Sequence, residues 1–199
     1  MTTLSGKIRK EDRRISRTKK SISTAFLHLL KNNDISKITI KELCDLADIN
    51  RKTFYMHYNS VGDVLSEIEN TIIQGFEKNI QIIKNKKTEM TITDIFFCIS
   101  ELLNNNSDTI YQLVQIDELY GLERKVKSAL KNTILQTIIE EYTNNINVIN
   151  LSMEYIISGV VSMYIEWFYG DNPMPFEMLT RIAIEFVDAN IKIVKNYSS

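Results

Sequence analysis

Between Asn50 and Tyr58 the chain reads Asn-Arg-Lys-Thr-Phe-Tyr-Met-His-Tyr, a cluster of hydrogen-bond donors on a segment short enough to be one or two helical turns. On a helix opening at Arg51, the side chains of Arg51, Lys52 and Thr53 project from its amino end while Phe54 points back to a core. Long basic side chains suit guanine edges or phosphate oxygens, and the phenol of Tyr55 and the imidazole of His57 are donors of the kind that meet phosphates. Thr39 and Lys41, at the amino end of the preceding helix, add backbone N–H groups and positive dipole to the same surface. Catalytic chemistry has no comparable cluster. The chain holds two histidines, His28 and His57, and two cysteines, Cys44 and Cys98. Neither pair has metal-ligand spacing, there is no glycine-rich phosphate loop, and no nucleophile stands with a base. No cofactor and no metal is expected, and the chain reads as no enzyme.

Charge divides the chain in the same sense. Residues 1–60 carry 13 Lys and Arg against 6 Asp and Glu, a net +7, whereas residues 61–199 carry 11 against 19, a net −8. A basic first third is the electrostatic footprint of a polyanion site, and the acidic remainder should face away from it. The isolated cysteines fit a reducing, cytoplasmic setting. The basic N-terminus, from Lys7 through Lys10 to Arg14, lacks the apolar run of a secretory signal. The longest apolar stretch, Tyr155 to Ile165, is fenced by Glu154 and Glu166, which reads as too short to span a bilayer.

The elements that must position these residues are all helices. Apolar residues from Ile15 to Leu30 recur at helical spacing and predict a first helix over about Arg13–Lys31. Thr39 and Glu42 stand in capping-box relation, with Ile38 and Leu43 at staple positions, and so open a short second helix ending near Ala47. Asn50 caps the third, and Ile49 and Phe54 repeat the staple. Ser60 with Asp63 caps a long fourth helix running to the Lys84–Lys87 break. Further helices are expected over about Ile92–Leu103, Thr109–Glu118, Leu122–Tyr142, Ser152–Phe168 and Phe176–Lys195, with Asn104–Asn106 and Asn144–Asn150 as loops. No segment sustains strand alternation, so the fold class is all-α. The expected domains are 1–60, a helix-turn-helix unit with a basic arm, and 61–199, a helical remainder.

The segment from Ile38 to Tyr58, ITIKELCDLADINRKTFYMHY, resembles the signature of the Tet repressor family: a Thr-capped helix, a tight turn, then a recognition helix of the Leu-Tyr-x-His-Phe type. The resemblance extends over roughly residues 12–72, and beyond it only the helical layout is similar. Asp48 stands where the family usually has a turn glycine, and Asp accepts the left-handed conformation better than most residues. Val61-Gly62 stands where the family commonly has Lys followed by an acidic residue, so the phosphate contact expected at that Lys is not carried over. The resemblance implies a sequence-specific regulator of transcription, by default a repressor, contacting a palindromic double-stranded operator through Thr39, Lys41, Arg51, Lys52, Thr53, Tyr55, His57 and Tyr58. It implies an omega-shaped homodimer with a helix-turn-helix domain followed by an effector-binding and dimerisation domain, and an unidentified small-molecule effector.

In the C-terminal part, Ile157, Val160, Val161 and Tyr164 belong to an apolar band wider than one core face needs, and Leu179, Ala183 and Phe186 belong to another. These are the expected dimer contacts, packed as a four-helix bundle with Gly159 permitting close approach. The middle helices, about Ile92 to Tyr142, combine bulky apolar residues with the polar-tipped Tyr111, Tyr120 and Tyr142, a composition suited to an apolar pocket whose occupancy changes the spacing of the recognition helices. Tyr111, Tyr120, Cys98 and Met163 suit a pocket wall or a packed core, since spacing does not separate the two. Trp167 suits the core, the dimer interface or a ligand platform, and Asp117 and Glu118 suit a cation or open solvent. Two alternatives share the DNA-facing features: an activator or co-regulator working with a partner protein, and an effector-free architectural protein.

Overall fold

A computed structural model of the chain describes residues 4–86, 91–114, 120–138, 146–170 and 174–198. The described residues form helices α1 (Leu4–Leu30), α2 (Ile40–Leu46), α3 (Arg51–Tyr55), α4 (Val61–Lys86), α5 (Ile92–Asn105), α6 (Ser107–Val114), α7 (Tyr120–Ile138), α8 (Ile146–Tyr169) and α9 (Phe176–Ser198), with a 3-10 turn at Ile35–Lys37. No strand occurs among them. They divide into two compact units, Met1–Ile68 and Glu69–Ser199. The division falls inside α4, eight residues after the expected 60/61, because Val64 and Ile68 are still buried in the first unit and Glu67 pairs with Lys19 of α1 at 2.7 Å.

In the first unit α1 packs on α2 and α2 on α3. The start signals read from sequence are present as bonds. Glu42 N donates to Thr39 Oγ1 at 3.2 Å while Thr39 N donates to the Glu42 carboxylate at 2.9 Å, closing the capping box. These bonds, the Thr39 side chain first and its backbone second, hold the Glu42 carboxyl below its usual range. Thr53 N donates to Asn50 Oδ1 at 2.8 Å, and Asp63 N donates to Ser60 Oγ at 3.2 Å. Each such cap contributes about 1 kcal/mol, and α2 and α3 are too short to form alone. Asp48 takes a φ of 53°, the left-handed value that the turn between α2 and α3 demands of whatever residue stands there. The core is closed by Ile22, Phe26, Leu43 and Phe54, none of which is exposed at all.

In the second unit α8 lies at the centre, packed on α6, α7 and α9, while α5 meets α6, α7 and α9. Glu69 is buried and accepts from Lys125 Nζ at 2.8 Å, which ties α4 to α7. A Cβ at Gly121 would stand 2.8 Å from the Glu69 carboxylate, so a larger residue there would displace that carboxylate. Helix α8 begins at Ile146, inside the stretch expected to be a loop. Ile149 is 2 % exposed and continues the inward row of Met153, Ile156 and Ile157, and its burial overrides the poor helix propensity of the neighbouring asparagines. By length and composition alone α8 is apolar enough to cross a membrane. Here its apolar excess is spent on packing, with eight buried residues from Ile149 to Phe168. Helix α1 begins nine residues before the expected Arg13, and the expected ends of the sixth and seventh helices, Glu118 and Tyr142, lie outside the described residues.

The expected dimer contacts require correction on this point. Ile157, Val160, Val161, Tyr164, Leu179 and Ala183 are all at most 7 % exposed within a single chain, and only Phe186, at 55 %, is open. They are the seam of α8 against its own neighbours, because an apolar period records burial and not which chain supplies it. Val161→Asp should therefore lower stability by about 3–5 kcal/mol, the cost of an uncompensated buried charge. For a chain of this length that is a fall in Tm of roughly 6–20 °C in a melting curve followed by circular dichroism. Parent-like melting would place Val161 at the surface.

Candidate nucleic-acid interface and helical cavity

Helix α3 is only five residues long, and Phe54 decides its orientation. The Phe54 ring is fully buried, edge-on to Tyr55 at 5.7 Å and tilted against Tyr58 at 5.7 Å. With Phe54 turned inward, Arg51 and Lys52 are exposed, Thr53 is partly exposed, and Tyr55 is 55 % exposed. Thr39 and Lys41 of the adjoining α2 segment are exposed as well, while His57 lies beyond the end of α3 and is partly exposed. The Arg51 charge opposes the rise that burial imposes on the Cys44 thiol, which places the guanidinium near the α2–α3 turn. Ser21 Oγ donates to the Ala47 carbonyl at 2.9 Å, fastening the end of α2 to α1.

Two residues stand differently from expectation. Tyr58 is 3 % exposed, with Lys19 Nζ 5.6 Å from the centre of its ring. Burial first, and the Glu67 carboxylate second, raise its phenol above the usual range. A side chain so enclosed packs the unit and offers nothing to a ligand at the surface. Met56, to which the sequence assigned no role, is 73 % exposed next to Tyr55. Composition held no signal for it, since only the direction of Phe54 shows which neighbour is left outside.

The second unit holds a cavity of about 60 Å³ bounded by α4, α5, α6, α7 and α8. Ile72 and Phe76 of α4, Ile99 and Leu102 of α5, Leu130 of α7 and Val160, Val161 and Phe168 of α8 are among its walls, which are carbon almost throughout. Two polar residues border it. The Tyr164 hydroxyl is 2.9 Å from Ser100 Oγ, and Glu123 is paired with Lys127. Cys98, Tyr111, Met163 and Trp167 are not among its walls. Cys98 is completely buried, with its thiol pushed up to about 11 chiefly by burial; Tyr111 is 47 % exposed; Trp167 donates Nε1–H to the Met174 carbonyl at 2.9 Å and packs edge-on to Phe168 and Phe176. The Tyr120 side chain, Asp117, Glu118 and Tyr142 lie outside the described residues. Among the described residues no group of three or more His, Cys, Asp or Glu is placed to hold a metal ion.

Residues 90–189 match the family model of a transcriptional regulator C-terminal region of the TetR type. Among solved structures, a TetR transcriptional regulator from Streptococcus agalactiae 2603V superposes with a TM-score of 0.65 at 26 % identity, covering 90 % of this chain and 98 % of that one. The dihydroxyacetone kinase operon activator DhaS shares the fold with a TM-score of 0.60 at 18 % identity, over 92 % of this chain and 98 % of its own. No curated protein matches the sequence significantly. The helix-turn-helix of the first unit and the match over residues 90–189 lead to one conclusion: the chain belongs to the TetR family of transcriptional regulators, a family of regulators and not of enzymes.

Proposed function

We propose that the protein binds an operator in double-stranded DNA as a homodimer and controls transcription from it, by default as a repressor that a small molecule releases. One observation carries the DNA reading. In a unit of strongly basic sequence, burial of Phe54 leaves Arg51, Lys52, Tyr55 and Met56 exposed together on and beside a capped helix. Arg51 and Lys52 supply guanine or phosphate contacts, Thr39, Lys41, Thr53 and the Tyr55 hydroxyl supply positioning contacts, and Met56 offers an apolar surface suited to a thymine methyl. His57 is a further donor, and Tyr58 supports the unit from within. Binding is strongest at low salt, because phosphate contacts release counterions.

The dimer reading rests on what α8 and α9 leave uncovered. Leu151 and Tyr155 are 74 % and 73 % exposed and share a face of α8 with Gly159, above which there is open space. Met178, Phe186 and Ile193, each more than half exposed, follow one another on one face of α9. Apolar rows of this length on a soluble surface mark an association site, and a second copy of the same chain brings rows that match. Two copies also provide the two recognition helices that a palindrome requires, about 34–36 Å apart.

Activation is the second reading, favoured by the operon activator among the fold's relatives. Transcription of the genes beside the mapped operator separates the two: deletion of the regulator raises it under repression and lowers it under activation.

On an operator selected from random duplexes, Tyr55→Phe should weaken binding about ten-fold or more, the loss of one hydrogen bond to a charged phosphate, at unchanged Tm. Arg51→Ala should alter the preferred sequence as well as the affinity if the guanidinium reads a base. An unchanged titration for Tyr55→Phe removes that hydroxyl from the interface. Phe186→Asp should give a monomer in sedimentation with parent-like helicity and a poor affinity for the palindrome. A Phe186→Asp protein that sediments as a dimer assigns the interface elsewhere.

A further inference from the structure

We propose that the groove between α1 and α2 of the first unit is a self-complementary surface on which a second copy of the chain docks, so that two operator-bound dimers grip each other side by side on one duplex. This goes beyond the function above and rests on its DNA reading. Two adjoining hollows form the groove. Arg17 and Lys20 of α1 line one, Glu42 and Asp45 of α2 line the other, and His28 and Leu46 border both. The rise along α1 from Arg17 to His28 is about 16 Å, so the two charged ends stand well apart. All four charged residues are exposed; among the described residues Arg17, Lys20 and Asp45 have no ion-pair partner, while Glu42 is held by Thr39. Leu46 lies between the ends at 47 % exposure. One exposed leucine is ordinary on a protein surface, but a leucine set between charges of opposite sign is a pattern that its own copy completes.

The symmetry follows from the charges. A two-fold axis through Leu46 sets Arg17 and Lys20 of one copy against Glu42 and Asp45 of the other, twice over, and Leu46 against Leu46; laying the two grooves in the same direction would oppose like charges. Two palindromic operators in tandem have such an axis midway between them, so the facing units of neighbouring dimers meet under the symmetry that the groove requires. Within one dimer the contact does not form, because the recognition helices stand about 34–36 Å apart. Lys41, Arg51, Lys52 and Tyr55 do not border the groove, so a copy seated in it leaves the proposed DNA surface available. A contact of this size is weak in free solution, and binding to one duplex raises the effective concentration of the two copies.

The experiment uses the full chain, the selected operator, and duplexes that carry two copies of it at spacings stepped through one helical turn. The second site should fill about five-fold or more tightly than the first at one spacing, and independently half a turn away. Leu46→Asp should keep the single-site affinity and lose the cooperativity. Lys20→Glu and Asp45→Lys should each lose it alone, and a chain carrying both should regain it, since the two reversals again oppose unlike charges. Disulfide capture reads the same contact without DNA. Under mild oxidation at high protein concentration Leu46→Cys should run as a covalent pair on a non-reducing gel, because Cys44 and Cys98 are buried, whereas Ile82→Cys, at a comparable 41 % exposure, should not. Independent filling at every spacing, cooperativity that survives Leu46→Asp and both reversals, or no covalent pair through Leu46→Cys overturns the proposal. A loss on Lys20→Glu that Asp45→Lys fails to restore also overturns it and makes the basic end a phosphate contact. A chain that binds no duplex yet links through Leu46→Cys removes the DNA reading while the docking of a second copy stands.

Discussion

A helix of five residues does not hold itself together, and α3 is the element on which the proposed DNA contact depends. Nucleating a helix costs more than one turn of hydrogen bonds returns, so its stability comes from outside its own backbone. Here the source is Phe54, fully buried and in contact with the rings of Tyr55 and Tyr58. The Asn50 cap sets where the helix begins, and Phe54 sets which way it faces. Everything proposed for Arg51, Lys52, Tyr55 and Met56 follows from that one anchored ring, since side chains on the opposite face of so short a helix have nowhere else to go. The surrounding unit serves the same anchor: the Thr39–Glu42 capping box orients α2, the left-handed Asp48 turns the chain toward α3, and the Lys19–Glu67 pair closes α1 onto the start of α4.

The second unit meets a different constraint. Helix α8 is apolar nearly all round, and a single chain covers only part of it. Its inner side, from Ile149 to Phe168, is the centre of the unit's core, while Leu151 and Tyr155 remain outside. A helix with this pattern belongs either in a membrane or between two partners, and the burial of its inner side against α6, α7 and α9 gives it partners on that side within the fold. The outer row and the exposed row on α9 are the surfaces through which the proposed dimer forms. The core that α8 organises is not perfectly filled, and the carbon-walled space beside Val160 and Val161 is where packing against α4, α5, α6 and α7 leaves room.

Much of this was legible in the sequence wherever the determinant was local. The capping residues Thr39, Asn50 and Ser60, the staples around them, the left-handed tolerance of Asp48 and the 3.6-residue period of the long helices all act between residues a few positions apart. The helix-turn-helix, the all-α class and the basic character of the first unit are therefore written in the residues themselves. Tertiary packing decided the rest. Periodicity identified Ile157, Val160, Val161, Tyr164, Leu179 and Ala183 as buried, but burial inside one chain and burial between two chains produce the same spacing, and only the packing of α8 on its neighbours assigned them to the interior. The polar-tipped Tyr111, Tyr120 and Tyr142 suggested a pocket among the middle helices, whereas the walls of the cavity are mainly apolar residues contributed by five helices, a coincidence of surfaces distant in sequence. Tyr58 and Met56 show the same thing: a hydroxyl-bearing ring is buried and a thioether is exposed, because packing around Phe54 and not the chemistry of either side chain sets its direction.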